Sequence, residues 1–281
     1  MDQSITADRA STSMRTAFAD LASVPRLHTA RGTGYVKLGK GAPLVLVHGV
    51  GLRLETWAPQ IAHFAKSHTV IALDMPGHGQ SAPLPIGSNL RDFVGWCGDT
   101  LDDLGLGQVN LVGHSMGALI AGGVAASQPD RLARVACLNG TYRRTPAARR
   151  AVMERAAAIW TDGVDADGPM ERWFEGTDDR SFLRDTVYGL LSGVSPQAYA
   201  TTYTAFATGD ELYADAWRNF ALPSLFLTGD GDPNSTPEMS AQMAAQAPKG
   251  KVVIIKGHRH MVNLTAPLQV NAAMETWLQT A

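Results

Sequence analysis

The stretch from Leu44 to His48 gives the first indication of how the chain folds. Four consecutive apolar residues run directly into a histidine and a glycine, with no alternation between polar and apolar positions. A strand with this pattern is covered on both faces, as the strands of a parallel sheet are. The run therefore predicts a central strand with helices packed on either side of it.

Short apolar runs and helix-period patterns alternate along much of the chain. The helical pattern is clearest from Leu90 to Leu104, where six apolar residues share one face and Ser88 or Asn89 is able to cap the first turn. Further strands are predicted at 35–37, 69–73, 109–113, 134–138, 224–228 and 251–255, and further helices at 55–65, 116–128, 239–247 and 268–280. This alternation favours an α/β fold with a mostly parallel central sheet flanked by helices.

The alternation stops between Asn139 and Phe220, where the pattern predicts several helices and no strands. We interpret residues 139–220 as a helical cap inserted into a core formed by residues 31–138 and 221–281. Ordinary helix packing accounts for most of the cap's aromatic residues, and a few of them are expected to line a ligand cavity. Residues 1–30 form a polar, alanine-rich N-terminal extension that docks on the core or frays.

Composition narrows the classes of partner. Lys and Arg number 24 against 26 Asp and Glu, which excludes the basic field that binding to nucleic acid or to an anionic membrane requires. A small-molecule partner is expected instead. The chain contains no apolar block of signal-peptide or membrane-span length, so a cytoplasmic location is expected. Cys97 and Cys137 lack metal-ligand spacing and are predicted to be core thiols. The sequence leaves open whether two copies of the chain form a homodimer.

The segment from Val109 to Gly117 predicts a strand, a tight turn and a helix, with Ser115 at the apex of the turn. Gly113 and Gly117 fit a GxSxG pattern, in which small residues on both sides of the serine permit a sharp turn. The sequence GHSMG resembles the nucleophile elbow of the α/β-hydrolase family. That resemblance implies an α/β-hydrolase fold with an inserted cap, no cofactor and no metal, and Ser115 as a nucleophile.

The resemblance also suggests an acid and a base for the serine. In the family the acid follows a strand as GxxD with a proline a few residues later, and Asp232 matches this pattern, with Asp230 as its rival. The catalytic histidine of the family precedes the proline that begins the last helix, which selects His260 over His258. The order of Ser115, Asp232 and His260 along the chain is the order found in α/β-hydrolases.

Two further motifs extend the resemblance over roughly residues 43–280. His48-Gly49-Val50-Gly51 is similar to the family's HG loop, which implies Val50 and Met116 as the backbone donors of an oxyanion hole. The segment 74–81 is similar to the family's DxxGHGxS turn, and a structural role is expected for it. His48 is expected to orient its loop. His114 is expected to be a packing residue beside the nucleophile.

A serine at the elbow disfavours the family's dehalogenases and epoxide hydrolases, which use a carboxylate there. The resemblance therefore implies cleavage of an ester, enol-lactone or amide of a small metabolite through an acyl-enzyme. Loops and cap most resemble 3-oxoadipate enol-lactonases and acylaminomethylene-succinate hydrolases. The alternatives are a carbon–carbon bond hydrolase, a perhydrolase or an acyltransferase of the same fold, and a small-ligand receptor with residual hydrolase activity.

Arginines near the expected site suggest a carboxylated substrate, because a guanidinium binds a carboxylate through two parallel hydrogen bonds. Arg53 follows the oxyanion loop and is the first candidate, and Arg143 and Arg144 lie at the entry to the cap. Trp160 and Tyr203 are the aromatic candidates for substrate contact. The cap is expected to set substrate choice and to leave chemical competence to the core.

Overall fold

The computed structural model of the chain describes residues 3–174 and 181–280. Within these residues, eight strands form a single sheet in the order β1-β2-β4-β3-β5-β6-β7-β8. The strands are β1 (Leu27–His28), β2 (Gly34–Leu38), β3 (Pro43–Val47), β4 (Thr69–Leu73), β5 (Val109–His114), β6 (Leu132–Leu138), β7 (Ser224–Gly229) and β8 (Gly250–Ile255). Strand β2 pairs antiparallel with both β1 and β4, and the remaining pairs, from β4 to β8 in this order, are parallel.

Helices cover both faces of this sheet. They are α1 (Gln3–Ala22), α2 (Ala58–Phe64), α3 (Leu90–Asp103), α4 (Met116–Ser127), α5 (Pro146–Asp162), α6 (Asp167–Phe174), α7 (Ser181–Ser192), α8 (Pro196–Gly209), α9 (Pro237–Gln246), α10 (Val262–Thr265) and α11 (Pro267–Leu278). The α/β architecture predicted from the alternating pattern is thus the observed one. Most predicted elements lie within two or three residues of their observed ends.

Strand β3 explains why its sequence is apolar without interruption. Leu44 and Leu46 pack with α1, α2 and α11 on one face of the sheet, whereas Val45 and Val47 pack with α3 and α4 on the other. All four side chains are fully buried. Successive side chains of a strand point to opposite faces, so a strand between two helical layers needs apolar residues at every position.

Helices α5, α6, α7 and α8 lie between β6 and β7, and the described residues of that segment contain no strand. They cover the carboxyl edge of the parallel strands, where ligands bind in open α/β sheets. The N-terminal extension is largely helical, since α1 spans Gln3–Ala22 and buries Ala17 and Leu21 against the core. No helix within the described ranges is long and apolar enough to cross a membrane.

Candidate active site

Ser115 occupies the turn between β5 and α4, and its backbone has a φ of 55°, in the left-handed region. The glycines on either side make the turn possible. A Cβ on Gly113 would collide with the carbonyl group of Gly117, and a Cβ on Gly117 would collide with the carbonyl group of Val47 in β3. A non-glycine residue held at positive φ is typical of functional sites. The turn presents Ser115 at the carboxyl edge of the sheet.

Two side chains from distant loops meet Ser115. The Nε2 atom of His260 lies 3.0 Å from Ser115 Oγ, and its Nδ1 atom lies 2.7 Å from Asp232 Oδ2. All three side chains are buried. An imidazole that donates from Nδ1 to a carboxylate presents an unprotonated Nε2, to which the serine hydroxyl donates. In this arrangement a histidine is able to accept the serine proton.

The carboxylate of Asp232 accepts hydrogen bonds at both oxygens. Asn139 Nδ2 donates to Oδ2 across 2.8 Å, and the backbone N–H groups of Asn234 and Ser235 donate to Oδ1 across 2.9 and 3.2 Å. Burial alone raises the pKa of Asp232, but the charge and hydrogen bond of His260, with the donors from Asn139 and Asn234, outweigh it and lower the pKa below its usual value. Asp232 is therefore ionised at neutral pH.

The rival candidates for acid and base have other partners. Asp230 is exposed, and its Oδ1 accepts a hydrogen bond of 2.8 Å from the backbone N–H of Gly257. The Nδ1 atom of His258 lies 2.9 Å from Thr265 Oγ1. These two side chains hold the loops that carry the cluster and do not belong to the cluster itself.

His114, expected to be a packing residue, also has a specific partner. Its Nε2 donates to the backbone carbonyl of His260 across 2.7 Å, and the centroids of the two rings are 5.1 Å apart. Burial lowers the pKa of His114 to about 3, so the ring is neutral at physiological pH. The bond joins the end of β5, which precedes Ser115, to the loop that carries His260.

The two backbone groups implied as oxyanion donors are available for a ligand. Among the described residues, the N–H groups of Val50 and Met116 have no hydrogen-bond partner. Val50 lines the same cavity as Ser115, and Met116 follows Ser115 at the first position of α4. Unpaired N–H groups at a helix N-terminus carry partial positive charge and favour an anionic oxygen.

Buried side chains from the HG loop and the DxxGHGxS turn hold Val50 in place. His48 Nε2 accepts from the N–H of Met75 across 2.9 Å, and His78 Nε2 accepts from the N–H of Gly51 across 3.0 Å. Burial lowers the pKa of both histidines to about 3, so both remain neutral acceptors. The two motifs thus have the structural role expected of them.

Asp74, the first residue of the DxxGHGxS turn, also holds the segment that follows the HG loop. Its two carboxylate oxygens accept hydrogen bonds of 3.0 Å from the N–H groups of Leu54 and Gln80. Burial raises its pKa, and these two donors act in the opposite direction. Asp74 therefore ties the segment after the HG loop to its own turn.

Ser115 and His260 form part of the wall of a cavity of about 550 Å³. The cavity lies between the carboxyl edge of the sheet and helices α5, α6 and α8. Its wall includes the aromatic side chains of Tyr142, Trp173, Tyr199, Tyr203 and Phe206. A cavity of this size and character accommodates a small metabolite. Tyr203, predicted to contact substrate, is one of the residues that line it.

Arg53 and Trp160, both predicted to contact substrate, do not line this cavity. Leu52 faces the cavity, and the extended backbone of Arg53 turns its side chain to the other side, where Nη2 donates to the Gly193 carbonyl across 3.2 Å. Trp160 is on the outer face of α5 with 46% of its surface exposed. Its Nε1 donates to Thr204 Oγ1 across 3.2 Å.

Arg143 and Arg144 do line the cavity, but acidic residues already pair with their charges. Arg143 Nη2 lies 2.6 Å from the exposed Asp215, and Arg144 Nη1 lies 3.0 Å from the buried Asp210. Burial lowers the pKa of Arg144, and the charge of Asp210 acts against that shift. Arg144 is thus a buried ion-pair partner.

Two other arginines of the cavity wall, Arg155 in α5 and Arg172 in α6, were not singled out from the sequence. In the described part of the chain neither forms an ion pair with an acidic side chain. Arg155 Nε lies 3.2 Å from the hydroxyl oxygen of Tyr203, which holds the guanidinium against the wall.

The sequence analysis also did not single out Asn139, which donates to Asp232. Its position directly after β6, at the carboxyl edge of the sheet, is the one signal that could have indicated it.

Comparisons with known proteins agree with this architecture. A model described as the alpha/beta hydrolase family matches residues 44–273. The chain is 49% identical over 255 residues to the (E)-2-((N-methylformamido)methylene)succinate hydrolase of Acinetobacter baylyi, a match that covers 91% of this chain and 97% of the relative. It is 29% identical to a non-heme chloroperoxidase of Kitasatospora aureofaciens, over 80% of this chain and 87% of that protein.

Solved structures share the fold at low sequence identity. An enol-lactonase from Burkholderia xenovorans superposes with a TM-score of 0.82 at 22% identity, covering 91% of this chain and all of that chain. A hydrolase from Pseudomonas aeruginosa gives a TM-score of 0.83 at 21% identity, covering 92% and 99%. The resemblance inferred from the elbow and its companion motifs is confirmed, and the chain is a hydrolase that belongs to the alpha/beta hydrolase family.

Proposed function

We propose that this chain is a serine hydrolase that cleaves an amide or ester bond of a small carboxylated metabolite through an acyl-enzyme. The observation that carries the proposal is the buried set of contacts from Ser115 Oγ to His260 Nε2, at 3.0 Å, and from His260 Nδ1 to Asp232, at 2.7 Å. The serine of this set opens onto a cavity of metabolite size. A neutral partner histidine activates a serine hydroxyl that is otherwise a weak nucleophile.

In the proposed reaction, Ser115 Oγ attacks the carbonyl carbon while its proton moves to His260 Nε2. Asp232 keeps the imidazole in the required tautomer and stabilises its protonated form. The carbonyl oxygen becomes an oxyanion, which the N–H groups of Val50 and Met116 bind. Each donor of such a pair contributes about 3 to 4 kcal/mol to the transition state.

Collapse of the tetrahedral intermediate breaks the bond to the leaving group, which takes the proton from His260. The acyl group then remains on Ser115 as an ester. A water molecule, deprotonated by His260, attacks this ester, and the same two N–H groups bind the second oxyanion. Release of the acid restores the serine hydroxyl and the neutral histidine.

The substrate class is inferred from the most similar relative described above and from the cavity. That relative's name specifies a formamide nitrogen attached to a methylene-succinate, which bears two carboxylates. Arg155 and Arg172 offer this chain two guanidinium groups on the cavity wall without acidic partners among the described residues. We therefore assign carboxylate binding to this pair in place of Arg53, and the bond cleaved to an N-acyl bond of an aminomethylene-succinate.

The segment 139–220 is retained as a cap in this proposal. It supplies Arg155, Arg172 and Tyr203 to the cavity wall, whereas Ser115 and its partners come from the sheet edge. The cap therefore provides the groups that select the substrate. All of these residues belong to one chain, so the proposed activity does not depend on a homodimer.

The test is hydrolysis of (E)-2-(N-methylformamidomethylene)succinate in H₂¹⁸O, followed by mass spectrometry, with Ser115→Ala as the control. We expect formate that carries one ¹⁸O atom and a formyl adduct on Ser115 at short times. The dimethyl ester of the same compound tests the need for free carboxylates. Absence of turnover, together with no labelling of Ser115 by a fluorophosphonate, would reject the serine mechanism. Labelling without turnover of this compound would reject only the substrate class.

A further inference from the structure

Trp173 connects the cap to the reacting groups. The indole ring lies against the imidazole of His260, with 5.4 Å between the ring centroids and 28° between the ring planes. His260 thus has Asp232 at one nitrogen, Ser115 at the other, and an aromatic plane stacked on the ring. Trp173 belongs to α6, inside the segment expected to determine substrate choice alone.

The helix that carries Trp173 is anchored on both sides of this contact. Met170 and Phe174 of α6 are buried in the core cluster. The carbonyl of Arg172 accepts a hydrogen bond of 3.4 Å from Arg259 Nη1, and Arg259 directly precedes His260. The two stacked rings are therefore held by adjacent residues that are themselves bonded to each other.

The indole N–H of Trp173 has no hydrogen-bond partner among the described residues, and the side chain is only half-buried. Its ring is therefore positioned chiefly by the stacking contact and by the packing of α6. The face of the Trp173 ring is thus turned toward the imidazole of His260.

We propose that Trp173 is a positioning residue for His260, so that the packing of α6 against the imidazole contributes to the reactivity of Ser115 as well as to substrate choice. The inference rests on the proposed serine mechanism. The stack restricts rotation of the imidazole, which keeps the contacts at Nδ1 and Nε2 formed at the same time. It also shields one face of the ring from water, and the π-face of an indole favours the imidazolium that forms when the serine proton is transferred.

The test separates reactivity from substrate binding by means of a small, neutral fluorophosphonate, which reacts with Ser115 and carries no carboxylate. We expect Trp173→Leu to lower the rate constant for labelling about tenfold, the upper range for an aromatic pair. Trp173→Phe keeps an aromatic face and is expected to stay within about threefold of the unaltered protein. With the proposed substrate, the leucine variant is expected to lower kcat more than it raises KM.

Trp160→Leu is the matched control, because Trp160 is a cap tryptophan outside the cavity wall. We expect the fluorophosphonate to label this variant with the same rate constant as the unaltered protein. Circular dichroism and thermal unfolding establish whether each variant is folded. If Trp173→Leu does not fold, the labelling rate of Trp173→Phe still tests the inference. Equal labelling rates for Trp173→Leu and the unaltered protein, with only KM changed, would make Trp173 a cavity wall and overturn the inference. Failure of the unaltered protein to label would instead reject the serine mechanism itself.

Discussion

Asn139 Nδ2 donates a 2.8 Å hydrogen bond to Asp232 Oδ2, and this contact joins the ends of the neighbouring strands β6 and β7. The same amide group lies 3.1 Å from Thr228 Oγ1. Asn139 has a φ of 49°, a conformation that asparagine tolerates better than most residues. The carboxylate proposed to orient His260 is thus itself oriented by a residue 93 positions earlier in the chain.

We expect Asn139→Ala to lower kcat about tenfold or more, because a hydrogen bond to a charged group is worth roughly 1.5 to 3 kcal/mol. Asn139→Gly also removes the amide but relieves the positive-φ backbone. Equal losses of kcat in both variants, measured with the proposed substrate, would assign the effect to the amide. A glycine variant with normal kcat would show that Asn139 serves only the backbone.

The acid and base are tested by matched pairs of substitutions. Asp232→Asn is expected to lower kcat by a factor on the order of 10⁴, because an amide favours the wrong imidazole tautomer. Asp230→Asn is expected to change kcat little, since its contact is with the Gly257 N–H. His260→Gln and His258→Gln form the second pair, with the loss confined to His260. If the substitution at Asp230 abolished activity and the one at Asp232 did not, the role of the acid would pass to Asp230. The same outcome at His258 and His260 would reassign the base.

Arg155→Met and Arg172→Met test carboxylate recognition. Each is expected to raise KM for the dicarboxylate about tenfold or more, because a charge-assisted hydrogen bond contributes roughly 1.5 to 3 kcal/mol. KM for the dimethyl ester is expected to change far less. Arg53→Met is the control, because its guanidinium contacts Gly193 outside the cavity wall. A larger effect at Arg53 than at the other two positions would contradict the assignment.

The glycine of the elbow is tested against a glycine with free space around it. Gly113→Ala is expected to prevent folding or to lower the free energy of unfolding severely, because its Cβ would overlap the backbone of Gly117. Gly95 is exposed in α3, and a Cβ at this position would point into open space. Gly95→Ala is expected to raise the free energy of unfolding by about 0.5 to 1 kcal/mol, measured by urea denaturation. Similar effects of both substitutions would refute the steric argument.

Stability is expected to fall with acidification because of the buried neutral histidines. Burial lowers the pKa of His78 to about 3, so between that value and its usual 6.5 the unfolded chain binds a proton that the folded chain does not. The contribution of His78 to the free energy of unfolding is fully present above about pH 6.5. It is lost as the pH falls, by up to about 1.4 kcal/mol per pH unit. His48 and His114 act in the same direction.

His78→Gln retains an acceptor for the Gly51 N–H but does not titrate. Urea unfolding between pH 5 and 7, followed by circular dichroism, is expected to give a shallower dependence of stability on pH for this variant than for the unaltered protein. Identical slopes would show that His78 does not stay neutral in the fold.

The architecture and the elbow could be predicted from the amino-acid sequence. Buried strands in a parallel sheet must be apolar at every position, so the run from Leu44 to Val47 indicates its own environment. The glycines beside Ser115 are required by contacts within one turn and with the adjoining strand. Short-range requirements of this kind leave a trace in neighbouring residues. Asp232 and His260, in contrast, were predicted only through the resemblance to the family's acid and histidine motifs.

Which side chains face the cavity could not be predicted in this way, because it depends on the packing of distant elements. Leu52 and Arg53 are adjacent, and the direction of the backbone sends one into the wall and the other away from it. Arg144 pairs with Asp210, which directly follows α8, whereas Arg155 lines the cavity without an acidic partner among the described residues. The contacts of Asn139 with Asp232 and of Trp173 with His260 join segments far apart in sequence. Such choices depend on how distant elements pack together, and packing leaves no periodic pattern along the chain.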